Sequence, residues 1–229
     1  MQAIFRLFAR SFPRQWVLWF FVGLIILLVG LTYQGRLSGD TRLIASGLAF
    51  VIFAALALIQ SYSEWLRPSW LALVFVRPHR RWQILLTMTS AGSLAVGLLG
   101  LVLWTPPGLP IYVLFLLTCC FGFALASWLL LGLVLLPYPG LLALCAILYL
   151  VVVQPWMLFQ IVNGSLFIQS ADKLLPSSFG FIQIVRYALA PTHVLRFCLE
   201  ELGSGLLAFL GVVLLLRRRD IAHLSDPDA

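Results

Sequence analysis

With 229 residues, 62% of them hydrophobic and only 10% charged, the chain is far more apolar than a soluble domain, where about 45–50% apolar and about 25% charged residues are usual. A mean hydropathy of +1.04 agrees and excludes a soluble fold; the net charge of +7 then reads as basic residues flanking membrane spans rather than as a nucleic-acid surface. The apolar runs are solid and mostly about twenty residues long, without the alternation of a barrel strand, so their backbone polar groups are satisfied within helices.

The chain opens with MQAIFRLFARSF. Arg6 and Arg10 share one helical face, Phe5, Leu7, Phe8 and Phe12 cover the rest, and Arg14 follows. This predicts an amphipathic helix over 1–14 in the inner membrane interface, its arginines toward anionic headgroups; a basic flank without helical order is the plainer reading. Six apolar runs follow, over 16–33, 43–60, 84–104, 111–136, 141–161 and 202–216. The first is expected to be a retained span, because the TYQG after it is no small-residue cleavage site. The last covers only about 22 Å of a roughly 30 Å hydrocarbon layer. Its helix is therefore expected to begin near Thr192, after Pro191, which draws Glu200 and Glu201 toward the outer boundary. Arg196, four residues before Glu200, shares its face and can pair with it.

Between the second and third runs lies SEWLRPSWLALVFVRPHRRWQ. Glu64, Arg67, Arg77, Arg80 and Arg81 bracket a wholly apolar segment, Ser69–Val76. Pro68 suits the first turn of a helix, and Pro78 ends it. Two turns cannot span a membrane, so the apolar surface of Trp70, Leu71, Val74 and Phe75 needs cover. A protein partner in the cytoplasm is one cover; an interfacial helix half sunk in lipid is the other reading. The stretch 162–191 is too long to be structureless. Phe181, Ile182, Val185, Ala188 and Leu189 predict a short amphipathic or re-entrant helix at the outer face. The NGS sequon at Asn163 matters only in a glycosylating secretory pathway.

Basic residues set the orientation. With the N-terminus inside, the inner side holds ten arginines (Arg6, Arg10, Arg14, Arg67, Arg77, Arg80, Arg81, Arg217, Arg218 and Arg219). The outer side holds five basic residues: Arg36, Arg42, Lys173, Arg186 and Arg196. That bias predicts both termini in the cytoplasm, the tail 217–229 included.

Several chemistries are missing. Lys173 is the single lysine, and no G-x-x-x-x-G-K-[ST] occurs, so this chain by itself is no P-loop ATPase. His79, His193 and His223 lie far apart, and neither H-E-x-x-H nor G-x-S-x-G is present. The first five runs hold no Asp, Glu, Lys, Arg or His, which disfavours an intramembrane hydrolase and a proton-coupled carrier. Cys119, Cys120, Cys145 and Cys198 fit no zinc or redox spacing and read as packing residues, with no disulfide and no metal. No catalytic, cofactor or metal site is expected, and no nucleic-acid partner.

Four elements, taken in order, resemble the permease subunits of type-2 ABC transporters. MQAIFRLFARSFPRQW resembles their elbow helix, and SEWLRPSWLALVFVRPHRRWQILL their loop from second to third span, with its cytoplasmic coupling helix. LAPTHVLRFCLEELGSGLLAFLGVVLLL resembles the proline-started helix into the sixth span, and LLLRRRDI the basic ending. The loop PYPG is shorter than usual, and Arg67–Pro68 stand where a glycine is common. The resemblance covers nearly the whole chain. It implies an all-α, polytopic fold of six transmembrane helices, short outer helices between spans five and six, and a multi-pass protein of the bacterial inner membrane. It also implies a second permease, copy or paralogue, and two cytoplasmic ATP-binding subunits that hold ATP and Mg. Glu64, Arg67, Trp70, Leu71, Val74, Phe75 and Arg77 would couple to the ATPase. From their depth, and not from the resemblance, Glu200 and Glu201 are expected to shape the outer mouth of the pathway, a solvated helix start with no transport role being the plainer reading; Arg6, Arg10 and Arg14 would anchor the interface. A stand-alone channel or facilitator, and an assembly or anchor protein, are the competing readings.

Overall fold

A computed structural model describes residues 23, 39–65, 81–103, 110–136, 138–154, 175–176 and 191–218. They are almost entirely helical, with no strand among them. Helix α1 is Gly39–Trp65, α2 Arg81–Leu103, α3 Ile111–Leu135, α4 Pro139–Leu148 and α5 Pro191–Arg218; a π-helical turn, Tyr149–Val153, continues α4. Four of these, α1, α2, α3 and α5, are long and apolar enough to cross a membrane. The chain is a multi-pass membrane protein. Of the first expected span only Gly23 is described, and it is helical and exposed. The expected elbow and coupling helices lie outside the described residues.

Prolines set several boundaries. Pro110 caps α3 in an extended conformation and accepts the N–H of Leu114 at 3.1 Å. At the other end Leu136, which precedes Pro137, is extended (φ −122°, ψ 94°), as a residue before proline must be. Tyr138 is extended before Pro139, which occupies the first turn of α4, where a missing N–H costs nothing. The sequence-based bounds need correction elsewhere. Helix α1 starts before Leu43 and continues past Gln60 to Trp65, so Glu64 belongs to its last turn and not to a loop. Helix α2 starts at Arg81 rather than Ile84. The last helix starts at Pro191, as its shortness demanded.

Side-chain contacts give the helix directions. Tyr62 donates to the Met88 carbonyl at 3.2 Å, while Leu58, a turn earlier, packs on Gly92, a turn later; α1 and α2 are antiparallel. A Cβ on Gly92 would run into the Tyr62 hydroxyl and stand 2.9 Å from Leu58, so only glycine admits this approach. Helices α2 and α3 are antiparallel as well. Ser93 donates to the Cys119 carbonyl at 2.7 Å, and Gly97 packs on Phe115 and Cys119. Gly92 and Gly97 both lie at packing contacts inside the chain. Helix α5, by contrast, runs parallel to α3. Gly205 meets Phe123 and Ala124, Ser204 meets Trp128, and Gly211 meets Leu131.

These directions gather the C-terminal ends of α1, α3 and α5 with the N-terminal ends of α2 and α4. That end carries Arg81, Arg217 and Arg218 and is called the basic end below. Exposed aromatics ring the bundle, Trp82 and Tyr138 at the basic end and Tyr112 at the other, as expected of residues at a water–lipid boundary. Helix α3 is the centre. Its buried Leu117, Phe121, Leu125 and Leu130 join Phe50, Leu58, Leu85 and Val212 of its neighbours in one core.

Candidate functional site

Among the described residues, two polar places stand out away from the basic end. The first lies between α3 and α5. Arg196 Nε and Glu200 Oε1 are 3.0 Å apart, one turn from each other, and both side chains are open to the surroundings. The spacing expected of that pair is met; an exposed pair of this kind contributes a few tenths of a kcal/mol. The adjacent carboxylate behaves differently. Glu201 is only 3% exposed, because one step along a helix turns a side chain by about 100° and so points it at α3 instead of outward. Cys120 of α3 and Cys198 of α5 are both buried. One to two turns nearer the basic end, the Trp128 indole N–H donates to the Ser204 hydroxyl at 2.9 Å. A carboxylate at this depth is costly and is held only where protein surrounds it.

The second place lies on α4. Gln154, 2% exposed, donates to the Pro176 carbonyl at 2.6 Å and to the Tyr149 hydroxyl at 3.1 Å. Tyr149 donates in turn to the same carbonyl at 3.4 Å. The helix is widened here: the N–H of Gln154 bonds the Tyr149 carbonyl, five residues back. The sequence accounts for that, since Pro155 follows and has no N–H to give the preceding turn. Gln154 stands about 22 Å along its helix from Pro139, short of a roughly 30 Å apolar layer. Pro176, itself buried, is therefore drawn down into the bundle.

The chain matches no family model, no curated protein and no solved structure. What the two places can do follows from their own atoms. Among the described residues no three His, Cys, Asp or Glu side chains form a metal-binding group. Both places consist of groups that hold helices or segments together at depth.

Of the residues expected to carry function, Glu64 lies on the last turn of α1. Arg67, Trp70, Leu71, Val74, Phe75 and Arg77 lie outside the described residues, as do Arg6, Arg10 and Arg14. Glu200 and Glu201 stand side by side in sequence but face different surroundings, one half-exposed and one buried. Sequence reasoning missed Tyr149 and Gln154. A glutamine before a proline inside an apolar run was the available signal, because an amide in hydrocarbon needs partners.

Proposed function

We propose that the chain is a permease subunit of an ATP-driven ABC exporter, forming half of a translocation pathway and coupling to a separate ATP-binding subunit. The observation that carries this reading is the set of helix directions. They bring Trp65 and Arg81, which bracket residues 66–80, to the same end of the bundle as Arg217 and Arg218. By the positive-inside rule that end faces the cytoplasm. The apolar segment Ser69–Val76 then meets the compartment where an ATP-binding subunit resides, and Arg67 and Arg77 flank the contact.

Nucleotide energy reaches the spans only through contacts that differ between nucleotide states. Here the receiving helices are α1 and α2. Tyr62, one turn from the end of α1, holds the Met88 carbonyl of α2, so a push on the connecting segment moves the two as a pair. Glu64 on the last turn of α1 stands beside that joint. At the other end Glu200 faces the mouth of the pathway, while Glu201 holds α5 against α3. ATP and Mg belong to the partner, in two copies. A second permease, copy or paralogue, completes the pathway in the bacterial inner membrane.

The test is Arg67→Glu combined with Trp70→Asp. Co-purification with the ATP-binding subunit and substrate-stimulated ATP hydrolysis are expected to be lost while the protein stays inserted. Survival of both sinks the coupling assignment; a wild-type chain that transports without any ATP-binding subunit sinks the reading as a whole.

A further inference from the structure

We propose that the outward face of α5 is a self-complementary seam for a second copy of this chain, with Gly203 on its midline and Arg196 and Glu200 at its outer end. Among the described residues α5 packs on α3 and only slightly on α2. Of its apolar stretch 33% is buried, against 50–67% in α1, α2 and α3. Phe197, Glu201, Ser204 and Ala208 are buried on one side of the helix. On the opposite side Leu199, Leu206, Leu210 and Leu214 are each more than half exposed, and Gly203 has nothing within 4 Å of an added Cβ. Arg196, Leu199, Gly203, Leu206 and Leu210 follow one another at spacings of three, four, three and four. That repeat keeps a single face of one helix against another helix.

Leucine is as well satisfied by lipid as by protein, so the polar members decide what covers this face. Glu200 lies about 25 Å along α5 from Arg217, inside a layer of roughly 30 Å, and Arg196 lies about 31 Å from it, at the far edge. The two are 3.0 Å apart, with the arginine side chain 66% and the glutamate 38% exposed. A charged pair open at that depth is covered by protein or by water, not by lipid tails. Each copy offers one positive and one negative group a turn apart. A two-fold axis along the membrane normal sets the seams of two copies side by side, pointing the same way. Arg196 of one copy then meets Glu200 of the other, and a two-fold contact makes that exchange twice. A face with one sign of charge would need a different chain opposite it; this face complements itself. Gly203 lies one turn deeper, where the missing side chain lets the two backbones approach, as small residues do between membrane helices. Insofar as the inference names the second permease as a second copy, it rests on the proposed function; the contact itself rests on α5 alone.

The experiment uses the full chain in its membrane, carried on two different tags, with its four cysteines replaced by serine. Leu199→Cys, Gly203→Cys, Leu206→Cys and Leu210→Cys should each give a disulfide-linked dimer holding both tags when a membrane-permeant oxidant is added. Leu144→Cys, as exposed on α4, should give several-fold less. Charge variants are then read through the Gly203→Cys crosslink. Arg196→Glu and Glu200→Arg, each expressed alone, should lose most of the dimer, because like charges face each other across the axis. Expressed together on different tags, they should pair with one another and recover it, which an ion pair confined to one helix cannot do. Both positions are open, and an unchanged unfolding midpoint of each single variant checks that the fold survives. No crosslink along the seam would mean that lipid covers this face. A crosslink to another protein would mean that a different chain does. Either result overturns the proposal, as does equal crosslinking at Leu144→Cys, or a mixed pair no better than its members alone. A dimer formed without any ATP-binding subunit upholds the contact even where the transport reading fails, and a monomer leaves the coupling test at Arg67 and Trp70 untouched.

Discussion

Trp128 of α3 donates its indole N–H to the Ser204 hydroxyl of α5 at 2.9 Å, across 76 residues of sequence and between two helices that run the same way. Interhelical hydrogen bonds in membranes contribute about 0.6 kcal/mol on average and up to about 1.7. Trp128→Phe, Ser204→Ala and the double variant, unfolded in detergent, should therefore show a coupling energy in that range. Strict additivity of the two single changes would mean that the bond holds nothing.

Gly203 and Gly205 offer a sharper contrast, being two residues apart on the same helix. Nothing lies within 4 Å of a Cβ added to Gly203, whereas one added to Gly205 meets Phe123 at 2.6 Å and the Ala124 backbone at 3.0 Å. Overpacking of this sort costs about 1–3 kcal/mol. Gly205→Val should lower the unfolding midpoint or abolish accumulation, and Gly203→Val should do neither. Equal effects from both would show that helix propensity, not helix contact, decides.

Gln154→Leu removes both bonds that the amide donates, to the Pro176 carbonyl at 2.6 Å and to the Tyr149 hydroxyl at 3.1 Å. The Tyr149 hydroxyl keeps a weak hold at 3.4 Å, so the chain should still fold, with a loss of about 1 kcal/mol for the buried bond. In a cysteine-free background, Leu175→Cys should react with a polar maleimide several-fold faster once Gln154→Leu is added. An unchanged rate would show that the glutamine does not hold this segment down.

The paired carboxylates should separate in the same way. Glu200→Gln breaks an exposed ion pair and is expected to shift stability by no more than a few tenths of a kcal/mol. Glu201→Ala strips a buried side chain from the α3–α5 contact and should cost roughly 1–3 kcal/mol. Detergent unfolding of the two variants side by side measures this, and the reverse order would refute the placement of Glu201.

Helix existence and several boundaries were legible from elementary constraints. A run must be about twenty residues to cross, so the fifteen-residue run 202–216 had to begin earlier, and Pro191 marked where. Pro110 and Pro137 bracket α3 just as plainly. The Arg196–Glu200 pair was legible because its partners sit one turn apart. The extension of α1 to Trp65 was not: its last turn is polar, and apolar length says nothing about how far a helix continues into water. Nor were the contacts that join distant stretches. Trp128 with Ser204 and Gln154 with Pro176 depend on which segments are neighbours, and no spacing within one run encodes that. The residues proposed to couple, Arg67 to Arg77, lie outside the described residues, and the proposal draws on sequence and on the helix ends that bracket them.

The parallel pairing of α3 and α5 has a consequence for synthesis. Two neighbouring helices pointing the same way cannot enter the membrane as a hairpin; the chain must first cross back between them. Trp128 waits for Ser204 across 76 residues, about 4–15 s at a synthesis rate of about 5–20 residues per second. During that interval the face of α3 destined for α5 is closed by lipid or by the insertion machinery. A nascent chain halted before Pro191 should be recognised by the cell as unfinished, although every one of its completed helices is already in place.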